Sequence, residues 1–364
     1  MSNNTFLLYG ANGYTGELIA RFASEYNLAP ILAGRNQVAL KAMADKLKLD
    51  FEVIDLENTA ALEAALRKVK VVVNAAGPFD ATCVPMVKAC FKTGAHYLDI
   101  NGDIAVFETL KQFDEKALKA DIMVMPGTGF DVVPTDCLAL YLKKQLPDAS
   151  SLKLAFVTVD GGGISHGTAQ TMASKMGIGG AKRKDGKIVS VPLGQNGMTI
   201  DFPTRKVGET KKRFVMSIPW GDISTAYTTT GIPNIETFTG ADSGTFNLLK
   251  FQGAFNWLLR TKFARKMAQS SIKKKITGPS DSERIAASGL VWGEATSPDG
   301  RKVEAALAGP EGYTLTYHST LIIVQKILNG DFKPGYQTPA KVYGADLILE
   351  VPNMVRHSIK AVLK

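Results

Sequence analysis

Thr5-Phe6-Leu7-Leu8-Tyr9 runs straight into Gly10-Ala11-Asn12-Gly13-Tyr14-Thr15-Gly16. Five apolar or β-prone residues without a polar break describe a short strand buried on both faces, as in parallel sheets. Three glycines at a spacing of three follow, and Glu17–Tyr26 then carries Leu18, Ile19, Phe22 and Tyr26 at helical spacing. In such a strand–turn–helix unit the first glycine allows a tight turn and the second lets the backbone approach a pyrophosphate. The third brings helix against strand, and the helix N-terminus offers N–H groups and a positive dipole end to the phosphate. On this reading Gly10, Asn12, Gly13, Tyr14, Thr15 and Gly16 form a phosphate-binding turn. Taken alone, an ordinary glycine-rich turn would look the same.

The second strand, Pro30–Gly34, sharpens the reading because it ends at Arg35-Asn36. A site for NAD places Asp or Glu here to hold the ribose 2′-hydroxyl, whereas a guanidinium suits a 2′-phosphate. NADP(H) is therefore expected over NAD(H), with Arg35 and Asn36 at the phosphorylated ribose; the bland alternative is a solvated helix-start arginine. A helix over Gln37–Lys48 leads to a strand, Phe51–Ile54, with Asp55 at its carboxyl end, where this fold meets the adenine. A helix near 60–67 leads to Val71-Val72-Val73-Asn74, followed by Ala75, Ala76, Gly77 and Pro78, small residues against which a cofactor can lie. Helix 81–92, strand 96–98, helix 104–119 and strand Ile122–Met125 continue the alternation. Six such strands predict an α/β fold, a Rossmann doubly wound parallel sheet with right-handed crossovers.

From Pro126 the rhythm changes. A loop through Gly127–Asp136 precedes a helix over Leu138–Leu146 and a long strand, Leu152–Val159. Strand candidates follow at 187–192, 198–202, 213–218 and 235–239, and glycine-rich 160–168 opens a helix over 169–176. Segments 284–295 and 302–307 flank the hairpin signal Ser297-Pro298-Asp299-Gly300. Helices are expected at 316–328 and 340–350. The expected organisation is a Rossmann domain over 1–145, a second mixed α+β domain for substrate over 146–314, and a segment 315–364 returning to the first.

The chain has 364 residues, 45% of them hydrophobic and 21% charged, with a net charge of +9. That length favours two domains. No apolar run reaches a transmembrane length, and with the first strand starting at Thr5 no signal peptide is expected. Three cysteines lack CxxC spacing, so reduced thiols and a cytoplasmic location are expected. Four scattered histidines show no ligand spacing, so no metal is expected. The positive charge suits an anionic ligand such as NADPH, or an acyl thioester on a phosphate-bearing arm. Nothing resembles an RNA-binding signature or zinc finger, and nucleic acid is not expected as a partner. Residues 251–275 mix Phe251, Phe255, Trp257 and Phe263 with Arg260, Arg265 and Lys273–Lys275. This stretch reads either as a basic amphipathic helix for a membrane surface or acyl carrier, or as a helix packed on its own domain. A homodimer is left open.

Several of these stretches together resemble the saccharopine dehydrogenase-like oxidoreductases, a group that includes trans-acting enoyl reductases. They are Gly10–Gly16, Leu32-Ala33-Gly34-Arg35, Asn74–Pro78, His96-Tyr97-Leu98-Asp99 and Gly129-Phe130-Asp131-Val132-Val133-Pro134-Thr135-Asp136. Later motifs also match: Gly278-Pro279-Ser280, Val291–Glu294, Pro310–Thr316, Thr338-Pro339-Ala340 and Tyr343-Gly344. The resemblance implies an NADP-binding Rossmann domain, a second mixed-sheet domain, a returning C-terminal segment, and hydride transfer. Two departures stand out. Asn101-Gly102-Asp103 stands where relatives carry Gly-Glu, and Ser165-His166-Gly167-Thr168 where they read Ser-Gly-Gly-Thr.

Hydride transfer needs an acceptor carbon held at the nicotinamide and a proton donor for the atom that gains charge. His166 is the candidate by type, since its ordinary pKa lies near neutrality. Asp99, after the fifth strand, is placed to orient cofactor or substrate, or else to cap the next helix. Asp131 is placed to hold a substrate group or to brace its own turn, and Asp136 reads as a first-turn helix carboxylate. No tyrosine has lysine four residues on, which disfavours short-chain dehydrogenase chemistry, and no Gly-x-Ser-x-Gly elbow supports a hydrolase. The expected function is NADPH-dependent reduction of an enoyl, carbonyl or imine substrate, lipid-like or acyl-linked. The alternative is an NADP(H)-binding sensor without turnover.

Overall fold

Thr5–Tyr9 is β1, the strand at the switch point of a parallel sheet. The structure is a computed structural model describing residues 4–175, 177–206, 208–242 and 277–362, together with 244, 246, 247, 261 and 267. Of the basic aromatic stretch 251–275, all but Thr261 and Met267 lies outside the described residues. The chain divides into two units, Met1–Val133 with Tyr313–Val342, and Pro134–Gly312 with Tyr343–Lys364. The change of unit thus comes before residue 145, and the segment 315–364 is shared between both units.

In the first unit β1 pairs in parallel with β2 (Ala29–Gly34) and β4 (Val71–Asn74). β3 (Phe51–Val53) lies beyond β2; β5 (His96–Asp99), β6 (Met123–Met125) and β15 (Gly335–Tyr336) continue beyond β4. The order β15-β6-β5-β4-β1-β2-β3 is the doubly wound order extended by one strand from the returning segment. Phe6, Leu7 and Leu8 are wholly buried, as an unbroken apolar strand requires. One face of the sheet packs Leu7, Val72, Tyr97 and Val124 with Leu62, Met86 and Cys90 of the crossover helices.

The expected helix 104–119 is two helices, Ile104–Lys111 and Asp114–Lys119. The break turns Phe113 into the core, 5.8 Å from the Phe91 ring. It also frees Asp114 to accept the Tyr336 N–H at 2.7 Å, which ties β15 to the sheet. The expected helix 340–350 is likewise interrupted. Pro339–Tyr343 ends at Gly344, whose φ of 86° stops an α-helix, and a short 3₁₀ turn, Leu347–Glu350, follows.

The second unit is built on a mixed sheet of nine strands. Its main path runs β10 (Gly197–Pro203), β11 (Thr210–Ile218), β12 (Asn234–Gly240), β7 (Ser151–Val159), β13 (Ser288–Thr296), β14 (Lys302–Pro310), β16 (Val355–Val362). A hairpin of β8 (Gly180–Lys184) and β9 (Lys187–Val191) joins through β12. β7 and β12 pair in parallel; the other pairs are antiparallel. One face carries Val157, Phe202, Val215, Phe238, Leu290 and Trp292. On β13, a Cβ at Gly293 would lie 2.7 Å from Leu142 Cδ1, so the helix Val133–Gln145 rests directly on the strand. Residues 284–287, expected in a strand, instead close the helix Asp281–Ala286, started by a capping box between Ser280 and Glu283.

Candidate cofactor site and the loops beside it

The three glycines of the first turn answer to three different contacts. Gly10 has φ 84°, and a Cβ there would lie 2.7 Å from Ala76 N, so the segment after β4 presses on it. A Cβ on Gly16 would lie 2.9 Å from Ala11 Cα, which lets helix α1 (Tyr14–Phe22) close on the turn. At Gly13 a Cβ would meet only the Gly10 carbonyl, at 3.2 Å. Gly13 is also the N-cap of α1 and supplies no side-chain cap bond; the acidic residue of the first turn, Glu17, lies 3.8 Å from Arg21.

A cavity of about 430 Å³ opens here, lined by Tyr9, Gly10, Asn12, Gly34, Arg35, Asn36 and Ala76. Arg35 is exposed at its rim, directly after β2. Asn36 accepts the Ala39 N–H at 3.1 Å and so starts the helix Gln37–Leu47. Asn12 Oδ1 lies against the Gly34 backbone. The Tyr9 hydroxyl donates to Ile54 O at 3.3 Å. Burial pushes that phenol up, Arg35 pulls it down and Asp55 pushes it up, so both charges act on the cavity floor. Asp55 itself accepts the Glu57 N–H at 3.0 Å. A larger hollow of about 750 Å³, lined partly by Lys48, Phe51, Glu52 and Lys68, lies at the N-terminal end of β3. In this class of sheet dinucleotides bind at the carboxyl ends of the strands, so the smaller cavity is the relevant one.

Along the carboxyl ends, Asn74 pairs with both Tyr9 and Asp99 in register. The Asn74 side chain is wholly engaged inside the protein. Its amide donates to Thr82 Oγ1 at 3.0 Å and its oxygen accepts the Ala76 N–H at 3.1 Å. Asn74 therefore shapes the Ala75–Pro78 segment from within. Asp99 is fully buried, with Oδ2 taking the Tyr97 hydroxyl at 2.7 Å. Its Oδ1 takes Asn101 Nδ2 at 2.6 Å and the Gly127 N–H at 2.9 Å. Burial pushes the carboxyl up and these donors pull it back. With its lone pairs so used, Asp99 braces the loops after β5 and β6; Asp103, not Asp99, caps helix Ile104–Lys111.

Asp131 is brought to that brace. A Cβ on Gly102 would fall 2.9 Å from Asp131 Cβ, so the two loops touch at a point where only glycine fits. This accounts for the Asn101-Gly102-Asp103 departure: Asn101 links Asp99 to the Asp103 N–H, and Gly102 admits Asp131. Gly102→Ala is expected to displace the 127–131 turn and to cost roughly 1–3 kcal/mol of stability through overpacking. Denaturant midpoints of the variant and its parent measure it.

The sequence reading did not single out the helix Gly312–Leu328 as part of this site. One face carries Thr316, Ser319 and Thr320, all hydrogen-bonded to Thr128 or Phe130. The adjoining side carries Tyr313, edge-on to Tyr14 at 4.9 Å, and Tyr317, stacked on Phe22 at 4.3 Å. Hydroxyls at i, i+3 and i+4 in a largely buried helix were the available signal.

His166 belongs to the second unit, as the first residue of the helix His166–Ser174. Ser165 caps that helix by accepting the Thr168 N–H at 3.2 Å, and His166 Nε2 lies 3.4 Å from Gln170 Nε2. In Ser-His-Gly-Thr, then, serine and threonine serve the cap. Asp136 accepts the Thr229 hydroxyl at 2.5 Å and joins two helices of its unit. The three cysteines are buried and unpaired. Among the described residues no group of three or more His, Cys, Asp or Glu could hold a metal ion.

The residues fit an NADP(H) nucleotide. The glycine turn presents an uncapped helix N-terminus, and Gly10 and Gly34 keep the cavity floor low. A guanidinium stands where the 2′-phosphate would come. Residues 6–125 match the model of the saccharopine dehydrogenase NADP binding domain. The chain is similar to the saccharopine dehydrogenase-like oxidoreductase of Rattus norvegicus, 28% identical over 49% of this chain and 47% of that protein. It is similar too to the trans-acting enoyl reductase of Mycobacterium ulcerans (strain Agy99), 27% identical over 41% of this chain and 38% of the relative. It thus spans less than half the length of these curated relatives. The fold matches apo saccharopine dehydrogenase (L-Glu forming) from Saccharomyces cerevisiae with a TM-score of 0.66. That match covers 98% of this chain and 100% of the yeast chain at 13% identity, a likeness of fold. The first unit therefore contains an NADP-binding domain of the saccharopine dehydrogenase family, in a chain similar to saccharopine dehydrogenase-like oxidoreductases and trans-acting enoyl reductases.

Proposed function

We propose that this protein is an NADPH-dependent oxidoreductase that reduces an enoyl, carbonyl or imine carbon, in a lipid-like or acyl-linked substrate. The observation that carries it is Arg35 at the rim of a cavity floored by the glycine turn, where an NAD site would hold a carboxylate. Bound NADPH supplies the hydride. The chain's part is to hold the pyrophosphate on the α1 N-terminus, meet the extra phosphate with Arg35, and position the acceptor. Asp99 serves from behind by fixing the loops after β5 and β6. Asp131 and His166 are the proposed groups for orienting substrate and delivering the proton. The similarity to a protein named as a trans-acting enoyl reductase favours the enoyl class.

No helix among the described residues is long and apolar enough to cross a membrane. We place the protein in the cytoplasm and assign the basic aromatic stretch 251–275 to contact with an anionic lipid or carrier surface. Stopped-flow absorbance at the nicotinamide band, with panels of enoyl thioesters, aldehydes and imines, tests the activity. The expected result is oxidation by at least one class. Tight binding with no oxidation by any would leave a protein that senses NADP(H) without turning it over.

A further inference from the structure

The helix Asp281–Ala286 of the second unit turns the usual partition of side chains inside out. Its other five residues are exposed, Ile285 at 80%, and the one it buries is Arg284, at 5%. Arginine is rarely enclosed to that degree unless it is fully paired. Here the pairing is partial. Nη2 donates to Asp281 Oδ1 at 2.5 Å, while Nε and Nη1 are enclosed with no hydrogen-bond partner among the described residues. The neighbouring Glu283 carboxylate is taken by the Ser280 N–H and hydroxyl, at 2.7 and 2.8 Å. Enclosed donors without an acceptor cost stability, and an apolar side chain would fasten this helix without that cost.

The turn after β7 lies against this helix as bare backbone. A Cβ on Gly161 would fall 3.7 Å from Glu283 O and 3.9 Å from Ala287 Cβ, the residues on either side of Arg284 along the inward face. Gly161, Gly162 and Gly163 are exposed, and a Cβ on Gly163 would meet nothing within 4 Å. Two more cations reach the same strand ends. Lys211 pairs with Asp160, and Arg205 Nη2 donates at 3.3 Å to Ser288 Oγ, which stands opposite Val159 in register. We infer that Arg284 is the floor of an oxyanion site entered over the glycine turn, taking a carboxylate or phosphate group of a ligand of the second unit. Guanidinium donors match such oxygens, and a turn without side chains lets the ligand come close. Arg205 and Lys211 add positive potential at the rim. The site uses neither Arg35 nor the turn after β1, so it stands apart from the cofactor reading.

The test is the thermal midpoint of the full chain in inorganic phosphate or in acetate, each against chloride at equal ionic strength. Wild type is expected to gain a few degrees from at least one of the two. A gain from phosphate alone assigns a phosphoryl group, a gain from acetate alone a carboxylate, and a gain from both an oxyanion of either kind. Arg284→Met is expected to match wild type in chloride, since an apolar stem replaces enclosed donors, and to lose the anion response. Arg35→Asp should keep the response, which separates this site from the cofactor cavity. If the methionine variant does not fold, Arg284→Lys serves; it keeps the charge without the planar fork and should need roughly tenfold more anion for the same shift. No shift in wild type with either anion overturns the inference. So does a response that survives in Arg284→Met, is unchanged in Arg284→Lys, or vanishes in Arg35→Asp.

Discussion

Replacing Arg35 by aspartate is expected to weaken NADPH binding about a hundredfold while changing NADH affinity no more than a few-fold. A charge-assisted bond to phosphate is worth about 1.5–3 kcal/mol, and a carboxylate facing the same phosphate adds repulsion. Together these amount to roughly 3 kcal/mol, or two decades in the dissociation constant. With NADH the introduced carboxylate meets ribose hydroxyls, the arrangement NAD sites use. Arg35 is exposed and follows β2, so the change leaves the sheet intact. Arg35→Lys keeps a charge but loses the planar fork, and should fall between wild type and Arg35→Asp. Titration calorimetry with both cofactors decides the matter. Equal losses for NADPH and NADH would remove the 2′-phosphate from this position.

The parts of this site that were legible in the sequence are those set by local sterics. Gly16 is required by Gly10 and Ala11 a few residues before it, Gly10 takes a positive φ within its own turn, and Arg35 follows its strand directly. The β4–β6 side was less legible, because its contacts join residues distant in sequence. Phe130 and Thr316 are separated by 186 positions, and Asp131 meets Gly102 only through the register of β5 and β6. Residue type was a poor guide there. Asp99 and Asn74 have polar side chains suited to chemistry, but each is buried and occupied by protein partners. The same difficulty hid β8, which contains Lys182-Arg183-Lys184 and was not among the expected strands. Arg183 is nonetheless buried, with Nε donating to Ile223 O at 2.7 Å and its guanidinium 4.1 Å from the Tyr227 ring centre. A charged strand residue of this kind is satisfied by an element some forty residues later.

The stability of the first unit is expected to fall as pH drops from 6.5 toward 4, before most carboxylates titrate. His96 is 6% exposed, accepts the Met123 N–H at Nδ1 (3.0 Å) and lies 4.2 Å from the Phe332 ring. His318 is 8% exposed, with Nδ1 2.5 Å from the Tyr26 hydroxyl. Burial lowers both imidazoles from 6.5 to about 4, and burial raises Tyr26 to about 12, so the phenol donates to a neutral ring. Above pH 6.5 neither the folded nor the unfolded chain protonates these rings, and the contribution is fully present. Between 6.5 and 4 the unfolded chain takes up protons that the folded one refuses, so stability declines through that window. Each histidine accounts for roughly 2–3 kcal/mol across it, at about 1.4 kcal/mol per pKa unit. Asp99 acts in the opposite sense, since burial raises its carboxyl and the folded chain then protonates first. His318→Phe should remove about half of the loss between pH 6.5 and 5, at some cost at pH 7 from the Tyr26 hydroxyl left without its acceptor. Urea unfolding at pH 7, 6 and 5 measures both effects. A wild-type midpoint unchanged over that range would mean that these rings ionise in place, and that the contact between the returning helix and Tyr26 tolerates the charge.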